Sequence, residues 1–453
     1  MTELDPLLDQ TLGILDQPLS TQAQRFKAAV ERYRSDWTVL VSGLCSVGKS
    51  SFVGALWGDS EILPAAVRDC TQTNTLLRVP QPGEEQRRIL LAYLDRAAAL
   101  DFAARGLQYY RLSGMIRETL GPEGPRLEEM PPGERLRQAA ASVRQLFQQR
   151  AELLVLHEPL TDEIEQLDEF LAFLESAQYK PGETVAAEWE QRREHLMGLR
   201  RPDGRPIGIG RLLALKHVEM ACVSTRWTGK APVLIDTPWV PAYHNARRSE
   251  LIREQARNAD LMIILALPQD FTPEEWVLRI FRDRPEMPKR TLVIFNQVDT
   301  VDPSMLFKRG GFAQAFEENS IRLAKLGIDP ANIFLSCARL PFLENAPKDA
   351  FLTERLEKLR MILTRIGGLA AGRAESSFKK KLLAACDITD AGIGTLRSQL
   401  ETMREGSIQK WRMTDLQRAF DDLDSLSIRE DARDQYPDLR LQIRAHLRGP
   451  SPF

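Results

Sequence analysis

Apolar positions recur at helical spacing across residues 3–35, at Leu7, Leu8, Leu12, Ile14 and Leu15 and then at Phe26, Ala29 and Val30, with a break near Pro18. The pattern changes at 37–42 (WTVLVS), a short and partly β-branched apolar run ending at Gly43, which predicts a buried strand feeding a tight loop. Runs of the same kind recur at 217–222, 232–235, 261–266, 291–295 and 333–335, and helical patterns fall between them at 245–259 and 273–283. Alternation of this sort predicts an α/β fold with a doubly wound, mostly parallel sheet.

Two stretches lack the alternation. Residues 84–199 read as helix-like, with periodic apolar positions over 136–156 and 164–174 and breaks at Gly121-Pro122, Pro131-Pro132 and Pro181-Gly182. A helix over 134–156 would reach roughly 35 Å at about 1.5 Å per residue. After Ser336 the chain again carries helical patterns, over 352–366 and 369–447. The expected organisation is therefore N-terminal helices at 1–35, an α/β domain in two parts at 36–83 and 206–345, a helical insertion at 84–205 and a helical region at 346–453. The insertion and the end helices are expected to form one elongated helical region, because their apolar stripes need partners.

Charge and composition narrow the function classes. With 61 Lys and Arg against 63 Asp and Glu, the formal charge of -2 gives no global field for nucleic acid or anionic lipid. No nucleic-acid partner is expected, and no KH-like or OB-like strand pattern follows the α/β part to suggest a ribosome-associated protein. The five cysteines, Cys45, Cys70, Cys222, Cys337 and Cys386, are scattered without CxxC, which suits a reducing cytosol better than a disulfide framework or zinc site. No apolar run reaches the roughly 18 to 20 residues that span a bilayer, and the start MTELDPLLDQ is acidic. A cytoplasmic protein is expected, with peripheral membrane contact as the alternative. Tyr109, Tyr110, Leu112, Met115 and Ile116 offer an apolar stripe for such contact, though such a stripe is more often core. Lys379-Lys380-Lys381 reads as a solvated helix face.

The chemistry concentrates at the ends of the predicted strands. Gly43-Leu44-Cys45-Ser46-Val47-Gly48-Lys49-Ser50 fits GxxxxGK[ST] between an apolar strand and a helix-like SFVGALWG. In such a loop backbone N–H groups close around the β-phosphate, Lys49 adds a point charge and the Ser50 hydroxyl ligates Mg²⁺. A Gly-rich turn with a surface lysine is the plain alternative. Asp236 closes VLID ahead of Thr237-Pro238, where a carboxylate can hold the magnesium's water shell, or simply form a solvated turn. Asn296-Gln297-Val298-Asp299 follows TLVIF, and Asp299 can accept both N–H groups on the Watson–Crick edge of guanine, a pair adenine lacks. Backbone N–H groups of Ser336-Cys337-Ala338, after IFL, are placed to meet the guanine oxygen. Thr71 lies about twenty residues beyond the phosphate loop, where a mobile threonine senses the γ-phosphate through Mg²⁺; Thr73 and Thr75 are rivals, and a plain strand threonine is the alternative.

With these five elements in order, the chain resembles the GTPases of the dynamin superfamily, most closely over Gly43 to Val79 (GLCSVGKSSFVGALWGDSEILPAAVRDCTQTNTLLRV) and in outline from Trp37 to Arg339 apart from the insertion. The resemblance implies a P-loop GTPase domain with flanking helices, GTP or GDP and Mg²⁺ as ligands, and slow GTP hydrolysis coupled to helical rearrangement or self-association. It implies magnesium at Ser50, Thr71 and Asp236. It implies catalytic roles for Ser46, Lys49 and Thr71, and nucleotide contacts from Gly43, Cys45, Val47, Gly48, Lys49, Ser50, Ser51, Asn296, Gln297, Asp299, Ser336 and Cys337. As partners it implies a homodimer or larger self-assembly through the GTPase domain, and a membrane or protein through the helices. Three positions depart from the family pattern: Cys45 stands where a glutamine usually orients the attacking water, Trp239 replaces the glycine of DxPG, and Gln297 replaces the lysine of the guanine motif. Binding is expected to survive these changes better than catalysis, so a nucleotide-gated protein-binding module with little or no hydrolysis is the alternative reading.

Overall fold

The computed structural model describes residues 4–15, 19–43, 47–59, 62–63, 73–106, 130–149, 158–197, 199–200, 206–207, 209–227, 230–238, 252–253, 255–268, 275–306, 308–338, 357–362, 373–387, 390–423 and 428–448. Its strands are β1 Thr38–Gly43, β2 Thr75–Arg78, β3 Arg87–Tyr93, β4 Thr184–Ala187, β5 Leu199–Arg200, β6 Pro206–Ile207, β7 Leu215–Cys222, β8 Val233–Asp236, β9 Leu261–Ala266, β10 Thr291–Phe295 and β11 Ile333–Leu335. Nine of them form one sheet in the order β11-β10-β9-β1-β8-β2-β7-β3-β4, and β5 pairs with β6 separately. From β11 to β8 every pairing is parallel. Beyond that point β2 is antiparallel to β8 and parallel to β7, and β3 is antiparallel to both its neighbours.

The sheet's chemistry follows from its burial. β9 and β10 are buried at every position and read in the sequence as unbroken apolar runs, as strands covered on both faces must. β1 is flanked by β9 and β8, which places its carboxyl end and the loop after it at the middle of the sheet. Its start is fixed by Asp260, whose carboxylate accepts from Thr38 N at 2.8 Å.

The stretch 84–205 is not wholly helical, in contrast to the sequence expectation. It contributes β3 and β4 to the main sheet and holds the β5–β6 ribbon. β3 (RRILLAY) is a short apolar run behind two arginines, too brief for its period to be told from a helix. β4 is an edge strand with alternating exposed positions and little apolar signal. The helices Arg96–Gly106, Pro132–Gln149 and Glu158–Glu175 do form, and Ala99, Ala103, Leu136, Leu167, Phe170 and Leu174 bury one another around Tyr179, whose hydroxyl donates to Leu94 O at 2.8 Å. The stripe at Tyr109 to Ile116 lies outside the described residues.

The chain divides into two compact units, Thr38–Leu396 and a second made of Met1–Trp37 with Arg397–Phe453. The insertion thus belongs to the same unit as the sheet, and the end helices make up the second unit. In the terminal unit, helices Leu4–Gly13 and Thr21–Arg34 share a core with Gln409–Asp421 and Tyr436–Arg448, where Leu8, Phe26, Val30, Phe420 and Ile443 are buried and the Phe26 and Phe420 rings lie 5.6 Å apart. Arg412 donates to the carbonyls of Ser35 and Asp36, satisfying groups that the helix Thr21–Arg34 leaves behind it. Among the described residues no helix is long and apolar enough to cross a membrane. Lys381 is half-buried rather than fully solvated: burial lowers its pKa, and its ammonium donates to the carbonyls of Pro330 and Ile333 between the Phe316 and Phe334 rings.

An ion-pair cluster braces β2 against β7. Arg78 donates to both oxygens of Glu84, at 2.6 and 2.7 Å, and to Glu219 at 2.6 Å, while Arg88 reaches Glu84 at 3.1 Å. Arg78 holds the Glu84 carboxyl down to about 2 from its ordinary 4.5. A depressed carboxyl stabilises the fold at pH above its unfolded value and loses that contribution as pH falls toward its folded value. Glu84→Gln is therefore expected to cost about 1 kcal/mol at pH 7. It should also flatten the acid limb between pH 4.5 and about 2; urea midpoints measured across that range check both.

Candidate functional site

The loop after β1 leads into the helix Lys49–Trp57, and two glycines shape the turn. Gly43 pairs with Leu265 on β9, and a β-carbon there would lie 2.3 Å from the Leu265 carbonyl oxygen. Gly48 has φ +84, and a β-carbon would meet Asn296 Nδ2 at 2.9 Å. The helix has no side-chain N-cap, and its first intrahelical bond runs from Phe52 N to Gly48 O. Its leading N–H groups therefore face out of the N-terminus, the arrangement that receives phosphate oxygens. Lys49 is buried and its ammonium donates to Gly43 O at 3.0 Å, so the charge is held across the loop's mouth.

Ser50 and Asp236 meet. The Ser50 hydroxyl donates to Asp236 Oδ2 at 2.8 Å, and both residues are buried. Asp236 ends β8, which pairs with β1 so that Val41 lies opposite Asp236. The next residue, Thr237, donates its hydroxyl to Val41 O at 2.9 Å and locks the turn to β1, a role the sequence reading did not assign.

Asn296 links two loops. Its Nδ2 donates to Val47 O at 2.8 Å, and its Oδ1 accepts from Ala338 N at 3.1 Å. Gln297 takes a left-handed conformation, φ +63, and its amide lies near Gly48. Asp299 is buried in the short turn Val298–Thr300. On the guanine reading, replacing Asp299 with Asn is expected to weaken GTP binding by about tenfold to a hundredfold, from the loss of one charge-assisted bond of about 1.5 to 3 kcal/mol. The same change should improve binding of xanthosine triphosphate, as competition titrations would show.

The N–H groups of Ser336-Cys337-Ala338 bond within the chain. Ser336 N donates to Phe295 O, Cys337 N to Ala391 O and Ala338 N to Asn296 Oδ1. The Ser336 hydroxyl also donates to Ala391 O, at 3.0 Å. Ala391, with φ +53, and Gly392 thus clamp this loop from the turn before helix Ile393–Met403. Asp390 stabilises that turn by accepting from Gly394 N at 2.7 Å. The sequence reading marked neither this turn nor its distant target. Full burial, followed by the neighbouring Cys386 thiol and the Asp299 carboxylate, pushes the Cys337 thiol pKa well up, so it stays neutral.

Leu44, Cys45, Ser46, Thr71 and Trp239 lie outside the described residues. Ser51 is half-buried in the first turn of the helix and Val47 is buried beneath it. Thr75 is fixed in β2 directly opposite Asp236.

No protein-family profile matches the chain, and no curated protein sequence does. Among solved structures, two that describe an oligomerised bacterial dynamin pair acting in long-range sensing and tethering of membranes align with it at 12% identity, with TM-scores of 0.39 and 0.36. Each alignment covers 98% of this chain and 57% of the other, so the chain spans a little over half their length.

Proposed function

We propose that the chain binds GTP with Mg²⁺ and hydrolyses it slowly, in the manner of the dynamin-like GTPases its motifs resemble. The hydrogen bond between Ser50 and Asp236 carries the reading, because it joins residues 186 positions apart, one in the first turn of the helix after β1 and the other at the carboxyl end of the adjacent parallel strand β8. A hydroxyl and a carboxylate are hard oxygen donors of the kind Mg²⁺ takes when phosphates and waters complete its shell. Bound there, the ion would supply charge neutralisation to the phosphates.

The chain's own groups do the rest. Lys49 would meet the phosphates as a point charge and the N–H groups of Val47 to Ser51 would cradle them, a part the resemblance also assigns to Ser46. Thr71 is the residue to which the resemblance assigns the metal and the attacking water. Asn296 holds the phosphate loop against the base-reading turn, and Asp299 accepts from guanine. Cys45 brings no amide to orient water or stabilise transition-state charge, and the loss of one such preorganised donor costs about 10² to 10³ in rate. This favours slow turnover, with a gated protein-binding module as its limit. The helices would carry self-association or contact with a membrane or protein. GTP turnover measured against protein concentration, with and without liposomes, separates the two: turnover rising with concentration supports the GTPase, and flat near-zero turnover with tight GTP binding supports the module.

A further inference from the structure

Thr75 occupies an unusual place in the sheet. Across one face a row of residues runs from Val41 on β1 through Asp236 on β8 and Thr75 on β2 to Val218 on β7, each in register with the next. Residues directly opposite on neighbouring strands share a face, with β-carbons roughly 4.5 to 5.5 Å apart in an antiparallel pair. Thr75 is therefore the neighbour of the carboxylate that takes the Ser50 hydroxyl. It is fully buried, and its own hydroxyl finds no hydrogen-bond partner among the described residues. Thr73, two residues earlier and 1% exposed, is in the same position, with a buried hydroxyl lacking a partner among the described residues.

Buried hydroxyls in folded proteins are nearly always bonded, and each exception calls for an explanation. A valine at position 75 would fill the same space, match its row neighbours Val41 and Val218, and leave nothing unsatisfied. Held between β8 and β7, Thr75 also cannot swing in and out with a nucleotide, so it is unsuited to the part of a mobile γ-phosphate sensor. A fixed hydroxyl beside a carboxylate suits a different task, which is to hold a water in the outer layer of a cation site and keep the carboxylate oriented.

We propose that Thr75 is a positioning residue of the divalent-cation site formed by Ser50 and Asp236, its hydroxyl holding water of the cation's shell. The inference rests on the proposed GTP and Mg²⁺ reading. The test compares the full chain with Thr75→Val and Thr75→Ser by two readouts. The first is the thermal midpoint without nucleotide or metal. The second is affinity for a fluorescent GTP analogue with excess Mg²⁺ and with EDTA.

Thr75→Val should melt at or above the wild-type midpoint, because a hydroxyl without a protein partner is removed, yet lose about fivefold or more of the affinity gained from Mg²⁺. Thr75→Ser should keep that gain. A Thr75→Val protein with the full Mg²⁺-dependent gain would overturn the proposal and reduce Thr75 to a strand residue. So would equal losses with Mg²⁺ and with EDTA, or a lower midpoint in Thr75→Val that Thr75→Ser restores, since each marks a structural role. Failure of the wild type to bind the analogue in either condition would instead bring down the GTP reading itself, and the inference with it.

Discussion

Lys49→Ala is expected to abolish GTP binding, lowering affinity by at least about 10², because the lysine's charged hydrogen bonds to phosphate are worth about 1.5 to 3 kcal/mol each. The side chain is already in place, buried with its ammonium 3.0 Å from Gly43 O at the loop's mouth. The ammonium therefore already lies beside the carboxyl end of β1, from which the motif's lysine meets phosphate. Lys49→Arg should rescue poorly, since a planar fork does not fit where a compact ammonium is held. Calorimetric titration of GTP into the wild type and both variants measures the effect, and circular dichroism of the free proteins should be unchanged. An Ala variant that binds GTP as the wild type does would show that the loop is not the phosphate site.

The second large effect is on the fold. Gly43→Ala places a β-carbon 2.3 Å from the Leu265 carbonyl oxygen, a backbone atom in the buried strand β9, at a glycine with φ +151. Neither strand can retreat without breaking the β1–β9 ladder, so the substitution should cost about 3 kcal/mol or more. Gly83→Ala is the matched control: φ there is +86, but no atom lies within 4 Å of the added carbon. Its cost should be only that of a left-handed alanine, about 1 kcal/mol. Urea denaturation followed by fluorescence compares the two, and similar midpoints would show that close approach to β9 does not constrain Gly43.

Much of this was legible in the sequence, for identifiable reasons. Leu261–Ala266, Thr291–Phe295 and Ile333–Leu335 were read to the residue because strands buried on both faces leave continuous apolar runs. β3 was hidden by its brevity and leading arginines, and β4 by its exposed edge position. β2 was taken only as a stretch of threonines, since four residues carry no measurable period. Within the site, Lys49, Ser50, Asp236 and Asn296 were marked by motif and order, and the fold brings them together. The clamp of Ala391 on Ser336 was not legible, because it joins residues 55 apart through backbone groups that any sequence supplies.

The central claim is that this pocket selects guanine nucleotide and uses Mg²⁺ to hold it. Equilibrium titration of the purified chain with a fluorescent GTP analogue, displaced by unlabelled GTP, GDP or ATP in excess Mg²⁺ and again in EDTA, tests it most directly. The account predicts displacement by GTP and GDP, little or none by ATP, and weaker GTP binding when Mg²⁺ is removed. Displacement by ATP as effective as by GTP would contradict the assignment of Asp299, and binding indifferent to EDTA would contradict that of Ser50 and Asp236.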